Sequence, residues 1–95
     1  MNHKMRIIYS PDIKDAMKAG TVTREELYAD FCREHHGDYG EVSEAEIKYN
    51  EECIRNRYDE ARSIYPAVNG ERRIQFCHGF DGAEDVGVFC YVGEL

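Results

Sequence analysis

Ninety-five residues, 42% of them hydrophobic with seven Tyr and four Phe, suffice for one packed domain over residues 1–95 and leave no room for a second. Nineteen acidic against twelve basic residues give a net charge of −7, which argues against a nucleic-acid binder with a basic face. The same charge is compatible with the opposite relation, an acidic surface that competes for a site normally holding nucleic acid.

The start, Met1 to Arg6, is charged and followed by only a short apolar run. No secretory signal is expected from it, and no stretch of the chain is apolar enough for a membrane span, so a cytoplasmic protein without membrane partners is expected. Cys32, Cys53, Cys77 and Cys90 are irregularly spaced with no C-x-x-C. In a reducing compartment such residues are expected as free thiols.

In chain order, Arg6-Ile7-Ile8-Tyr9 predicts a short strand or extended entry segment. Ser10-Pro11 supplies an N-cap and a proline at the first helical position, and Ile13, Ala16 and Met17 form the inward stripe of a helix ended by Gly20. Thr23-Arg24-Glu25-Glu26 is a capping box opening a second helix, with Leu27, Tyr28, Phe31, Cys32 and His35 expected along one face. The corner His35-His36-Gly37-Asp38-Tyr39-Gly40 follows, where two glycines bracket an aspartate and a tyrosine in a tight turn.

Ser43-Glu44-Ala45-Glu46 is a second capping box, and Ala45, Ile47, Tyr49, Cys53 and Ile54 give a third helix its apolar stripe. Asn50 falls on that inner face, where an amide needs partners. From about Arg62 the period changes: Ser63-Ile64-Tyr65 is strand-like, and Asn69-Gly70 signals a type I′ hairpin. Arg73 to His78 alternates, Asp81 to Asp85 reads as a loop, and Val86, Val88, Cys90 and Val92 alternate in phase. Helices followed by strands predict an α+β domain. About three helices should pack on one face of a small antiparallel sheet, a C-terminal three-stranded meander that an N-terminal strand can extend. Tyr9, Leu27, Phe31, Ile47, Ile54, Ile64, Ile74, Phe76, Val88 and Cys90 are the expected core.

The order of Ser10-Pro11, Gly37-Asp38-Tyr39-Gly40, Asn50, Ser63-Ile64-Tyr65, Gly70, Ile74 and Asp81 resembles a family of small proteins carried on bacterial plasmids and prophages, loosely labelled plasmid-related. The family pattern runs from a Thr/Ser-Pro helix start through G-D-W-G and an Asn to S-x-Y and a meander rich in W-I-I-T-E-x-D-R-S. Tyr39 stands where the family has Trp, Cys77 to Gly82 replaces its polar stretch, and its double Thr near the end is absent. The resemblance spans nearly the whole chain. It implies an accessory protein of a mobile element, working inside a bacterial host, and no particular active site.

Three functional expectations follow. In the first, the protein is a non-enzymatic inhibitor of a host defence nuclease, of anti-CRISPR or anti-restriction type, needing no cofactor and binding no nucleic acid itself. Carboxylates along a helix can imitate a row of phosphates. Glu41, Glu44, Glu51, Glu52, Asp81, Glu84 and Asp85 are the candidate partner-binding residues. Glu26 and Glu46 are set aside as engaged by their helix starts.

In the second, a small metal-dependent or hydrolytic module is centred on His35, His36 and Asp38, with Cys32 as a further metal candidate, although the spacing matches no standard zinc motif. In the third, the chain is a homo-oligomeric structural or adaptor protein with exposed tyrosines at its interface. Gly37, Asp38, Tyr39, Gly40 and Asn50 are expected to act structurally. His35 and His36 should sit on the free carbonyls of a helix C-terminus. Cys77 and His78 should point to opposite faces of one strand, which prevents them from forming a dyad.

Overall fold

The computed structural model describes residues 5–94, so Met1 to Lys4 of the charged start lie outside the described residues. Four strands and three helices follow one another as β1 (Met5–Tyr9), α1 (Pro11–Ala19), α2 (Arg24–His35), α3 (Glu44–Asn56), β2 (Ala61–Pro66), β3 (Arg73–Asp81) and β4 (Glu84–Tyr91). The fold is α+β, with the strands in the order β1-β4-β3-β2. β2, β3 and β4 form the antiparallel meander, whereas β1 joins β4 in parallel, so the sheet is mixed.

The helix starts form as their chemistry dictates. Oγ of Ser10 accepts from the N–H of Ile13 at 3.2 Å, Thr23 Oγ1 from Glu26 at 3.1 Å, and Ser43 Oγ from Glu46 at 3.2 Å. The reciprocal half of each capping box is absent. The Glu26 carboxylate accepts from the Val68 N–H at 2.7 Å, and Glu46 pairs with Arg62, whose Nη2 reaches both of its oxygens at 2.9 Å. Both glutamates hold tertiary contacts, where the sequence suggests purely local ones. At the other end of the chain, Glu94 accepts from the Ser10 hydroxyl at 2.8 Å and from the Asp12 N–H at 3.1 Å, a carboxylate at the positive end of α1.

The core comprises Ile13, Val22, Leu27, Tyr65, Ile74, Phe76, Phe89 and Tyr91, so α1 and α2 cover one sheet face. Burying one side chain the size of Phe76, which has no exposed surface, stabilises the fold by about 1.5–3 kcal/mol. On β4 the phase is opposite to the expected one. Phe89 and Tyr91 face the helices, and Val88 lies half-buried on the other side, although Cys90 in the same row is fully buried as expected. Two apolar rows compete on this strand, and the aromatic row wins because it removes more surface from water. α2 is likewise rotated: Leu27, Asp30 and Glu34 are buried, while Tyr28 is 67% exposed and His35 exposed. In α3, Asn50 and Cys53 are buried, Ile47 and Ile54 half-buried, and Tyr49 exposed.

α3 runs along the outer edge of β2 instead of joining the helices over the core. The Ile64 N–H donates to the Tyr39 carbonyl at 3.0 Å, and the Glu41 N–H donates to the Ile64 carbonyl at 2.7 Å. At Arg62 the partner is a side chain. Asn50 Oδ1 accepts from the Arg62 N–H at 3.0 Å, and Asn50 Nδ2 donates to the Arg62 carbonyl at 2.8 Å. Two residues beyond Ile64, at the same outward register, Pro66 has no N–H to leave unpaired. The edge is thereby closed to further strands.

Both connections of the meander differ from expectation. Six residues separate Pro66 from Arg73, and among the described non-glycine residues only Arg57 and Asp59 have positive φ, so Asn69-Gly70 is not a type I′ turn. Asn69 instead donates its side-chain amide to the Thr21 carbonyl at 3.3 Å. The expected loop from Asp81 to Asp85 shrinks to a turn at Gly82-Ala83, which puts Asp85 inside β4.

Candidate functional site: a buried histidine between two carboxylates

The corner after α2 is a rigid structural element. Asp38 Oδ1 accepts from the Gly40 N–H at 3.0 Å, Tyr39 is buried at 5% exposure, and the Tyr65 hydroxyl donates to the Asp38 carbonyl at 2.7 Å. Gly40 has φ +73°, and a Cβ there would lie 2.0 Å from the Ile64 carbonyl oxygen, so only glycine permits the bridge to β2. His35 and His36 turn Nδ1 onto the carbonyls of Phe31 and Cys32, at 2.9 and 2.7 Å. Those carbonyls lie in the last turn of α2, as the sequence suggests.

The chemically dense site lies one residue before this corner. Glu34, on the inward face of α2, meets His78 of β3, with Nδ1 to Oε2 at 2.7 Å. On the other side of the ring, His78 Nε2 meets Asp85 Oδ2 at 2.8 Å. Glu34, His78 and Asp85 are 2%, 3% and 7% exposed, so all three groups are nearly dry. Two carboxylates that both accept require both ring nitrogens to donate, which makes His78 an imidazolium.

Arg57 completes the charge balance, with Nη1 on Asp85 Oδ1 at 2.6 Å and Nη2 on the Gly82 carbonyl at 2.9 Å. It is the C-cap of α3 and holds a left-handed backbone at φ +54°. The strain of a non-glycine residue there is accepted because the side chain reaches two partners across the sheet end. His35 closes the cluster from the surface: its Nδ1 is 3.0 Å from Glu34 Oε1, and its ring stacks on His78 with centroids 5.7 Å apart.

The pKa directions follow from these contacts. Burial alone would pull His78 down, but the bonds and charges of Glu34 and Asp85 outweigh it and hold the imidazole above its ordinary value. Burial pushes Glu34 and Asp85 up, yet both lie below the usual carboxylate range. His35 and His78 hold Glu34 down, and Arg57 and His78 hold Asp85 down. The His35 imidazole is raised, chiefly by its bond to Glu34. The thiols behave differently: burial drives Cys77 up to about 11 and also raises Cys53 and Cys90. A thiol held in its protonated form is not an activated nucleophile.

The expected metal candidates do not converge as a set. Among the described residues, the potential ligand atoms that gather within 4.8 Å of one another belong to Glu34, His35 and His78. His36 Nδ1 is bonded to the Cys32 carbonyl and Asp38 Oδ1 accepts from the Gly40 N–H, while the Cys32 thiol is free.

The expected acidic surface also divides. Glu44, Glu51 and Glu52 are exposed, while Glu41 pairs with Arg73 at 2.5 Å. Asp81 and Glu84 approach Arg6 at 3.8 and 3.3 Å. Asp85 is withdrawn inward, because as part of β4 it faces the helices and finds His78 and Arg57 there. Reasoning along the chain misses Glu34, Arg57 and Asp85 as one unit, since 50 residues lie between the first and the last. The available signal was a histidine in an apolar alternating strand, which needs charged or polar partners once buried.

Searches against protein-family models, curated proteins and solved structures return no match to this chain. Among the described residues, no helix is long and apolar enough to cross a membrane.

Proposed function

We propose that this chain acts by binding a basic surface of another protein through the acid-rich flank of α3, and not by catalysis. The supporting observation is the disposition of charge between Asp38 and Glu60. Of eight carboxylates in that stretch, Glu46 pairs with Arg62 and Glu41 with Arg73. The other six, Asp38, Glu44, Glu51, Glu52, Asp59 and Glu60, are exposed. Of its three cations, Arg57 is turned inward onto Asp85, which leaves Lys48 and Arg55 on the outside. The drawing-in of Arg57 makes the outer flank more acidic than the linear sequence suggests.

A rigid helix carrying such carboxylates is a fit partner for a groove built to hold phosphates. The resemblance to plasmid and prophage proteins narrows that partner to a host defence nuclease of CRISPR or restriction type, whose inhibition protects a mobile element. The test mixes the protein with such purified nucleases and measures both capture and DNA cleavage as salt is raised. Salt-sensitive capture with loss of cleavage is expected, and the triple variant Glu44→Lys, Glu51→Lys, Glu52→Lys should abolish both. Undiminished capture by the triple variant would refute the acidic-face reading.

Self-association is a second reading, favoured by the sheet face opposite the helices, where Ile8 and Val92 are each 42% exposed and Val88 lies half-buried. Sedimentation of the full chain distinguishes it: a monomer at micromolar concentration rules it out.

A further inference from the structure

The geometry points to a binding site for one zinc-type divalent ion formed by Glu34, His35 and His78, with Asp85 and Arg57 as its outer support. Two donors come from the end of α2 and one from the middle of β3, and their ligand atoms lie within 4.8 Å of one another. Two imidazoles and one carboxylate are a donor set that zinc takes readily, and three protein ligands leave a fourth position for water.

The surroundings are those of a metal site in two further respects. A metal-bound histidine characteristically donates its other ring N–H to a carboxylate, which fixes the ring and its tautomer. His78 has that partner in Asp85 at 2.8 Å, and Asp85 is itself anchored by Arg57 at 2.6 Å. The second respect is access. Side-chain exposure is 1% for Glu34 and 4% for His78 but 38% for His35, so two ligands are fixed in the interior and the third opens to solvent.

Proton balance follows from the same contacts. Without an ion, Glu34 accepts hydrogen bonds from His78 and His35. On uptake, the ion takes the place of the Nδ1 proton of His78, which leaves to solvent, while the Nε2 proton stays on Asp85. His35 Nδ1 likewise gives up its proton to solvent, and with it the bond to the Phe31 carbonyl, while the ring keeps one proton on Nε2.

The test uses the full chain without a histidine tag, stripped with chelator. Zinc is titrated calorimetrically, and cobalt(II) serves as the spectroscopic probe. The site predicts one ion per chain and a cobalt spectrum with no thiolate charge-transfer band, although four cysteines are free. His35→Ala should weaken binding by at least about tenfold. His36→Ala, one residue further on and bonded to the Cys32 carbonyl, should leave it within about twofold. Both substitutions are at exposed positions, so the variants keep their fold, which circular dichroism verifies. Absence of saturable binding, a thiolate band, or equal weakening by the two variants would overturn the assignment.

Discussion

Asn50 and Arg62 are joined by a side chain that imitates a strand. The Asn50 amide accepts from the Arg62 N–H and donates to the Arg62 carbonyl, the pair of bonds that a neighbouring strand would make. Asn50 is 2% exposed, so no water replaces these bonds if they are lost. Asn50→Ala is therefore expected to destabilise the protein by about 2–4 kcal/mol, from two lost bonds and two stranded backbone groups. Asn50→Asp should cost a similar amount, because a carboxylate opposes the Arg62 carbonyl. Urea unfolding measures both, and a change below about 1 kcal/mol in the alanine variant would contradict this role.

Gly40 and Gly20 form a matched pair. Both have positive φ, +73° and +80°, but a Cβ on Gly20 meets nothing within 4 Å, whereas one on Gly40 strikes the Ile64 carbonyl at 2.0 Å. Gly20→Ala should cost about 1–2 kcal/mol, the price of a left-handed alanine alone. Gly40→Ala should cost more than twice as much, because the bridge to β2 must open as well. Equal losses in thermal melts would show that the close approach at Gly40 is not needed.

Asp30 adds a pH-dependent liability. Burial pushes its carboxyl up to about 6, against the opposing pull of Arg33, and its Oδ2 has no hydrogen-bond partner among the described residues. Between the ordinary carboxylate value and about 6, the folded chain holds a proton that the unfolded chain has released. Stability therefore falls as pH rises through that window and stays lower above it. Asp30→Asn should raise stability at neutral pH by about 1–3 kcal/mol and leave it nearly unchanged near pH 4. An equal gain at both pH values would point to a cause other than ionisation.

His78 and its carboxylates predict a profile of the opposite kind, best seen in chelator-containing buffer and in the Asp30→Asn background. The raised His78 contributes stability that is complete below about pH 6.5 and is lost as pH rises through its folded value. The lowered Glu34 and Asp85 contribute stability that is present above about pH 4 and is lost as pH falls through their folded values. A stability plateau between these limits is expected. His78→Ala should remove its upper shoulder and cost about 3–5 kcal/mol by stranding two buried carboxylates. A pH-independent stability from about 4 to 9 would contradict the charged network.

The local signals of this chain are strong and its register signals weak. Ser10, Thr23 and Ser43 as helix caps, the Asp38–Gly40 turn, and the histidines on the last carbonyls of α2 follow from interactions within four residues, so the sequence alone determines them. The α+β class and the opposed faces of Cys77 and His78 follow from periodicity. Asn50's need for backbone partners was legible too, because a buried amide must be satisfied.

Tertiary structure alone decided which of two apolar rows of β4 faces the helices, and with it whether Asp85 lies in water or in the core. A strand's two faces differ by one residue of register, and the larger burial of Phe89 and Tyr91 settles that choice only once the helices are in place. The same step assembled Glu34, Arg57, His78 and Asp85 from four separate segments. Each looks like a surface charge or a lone histidine in the sequence; in the fold Glu34 and Asp85 meet the buried His78 between them, and the half-buried Arg57 balances Asp85.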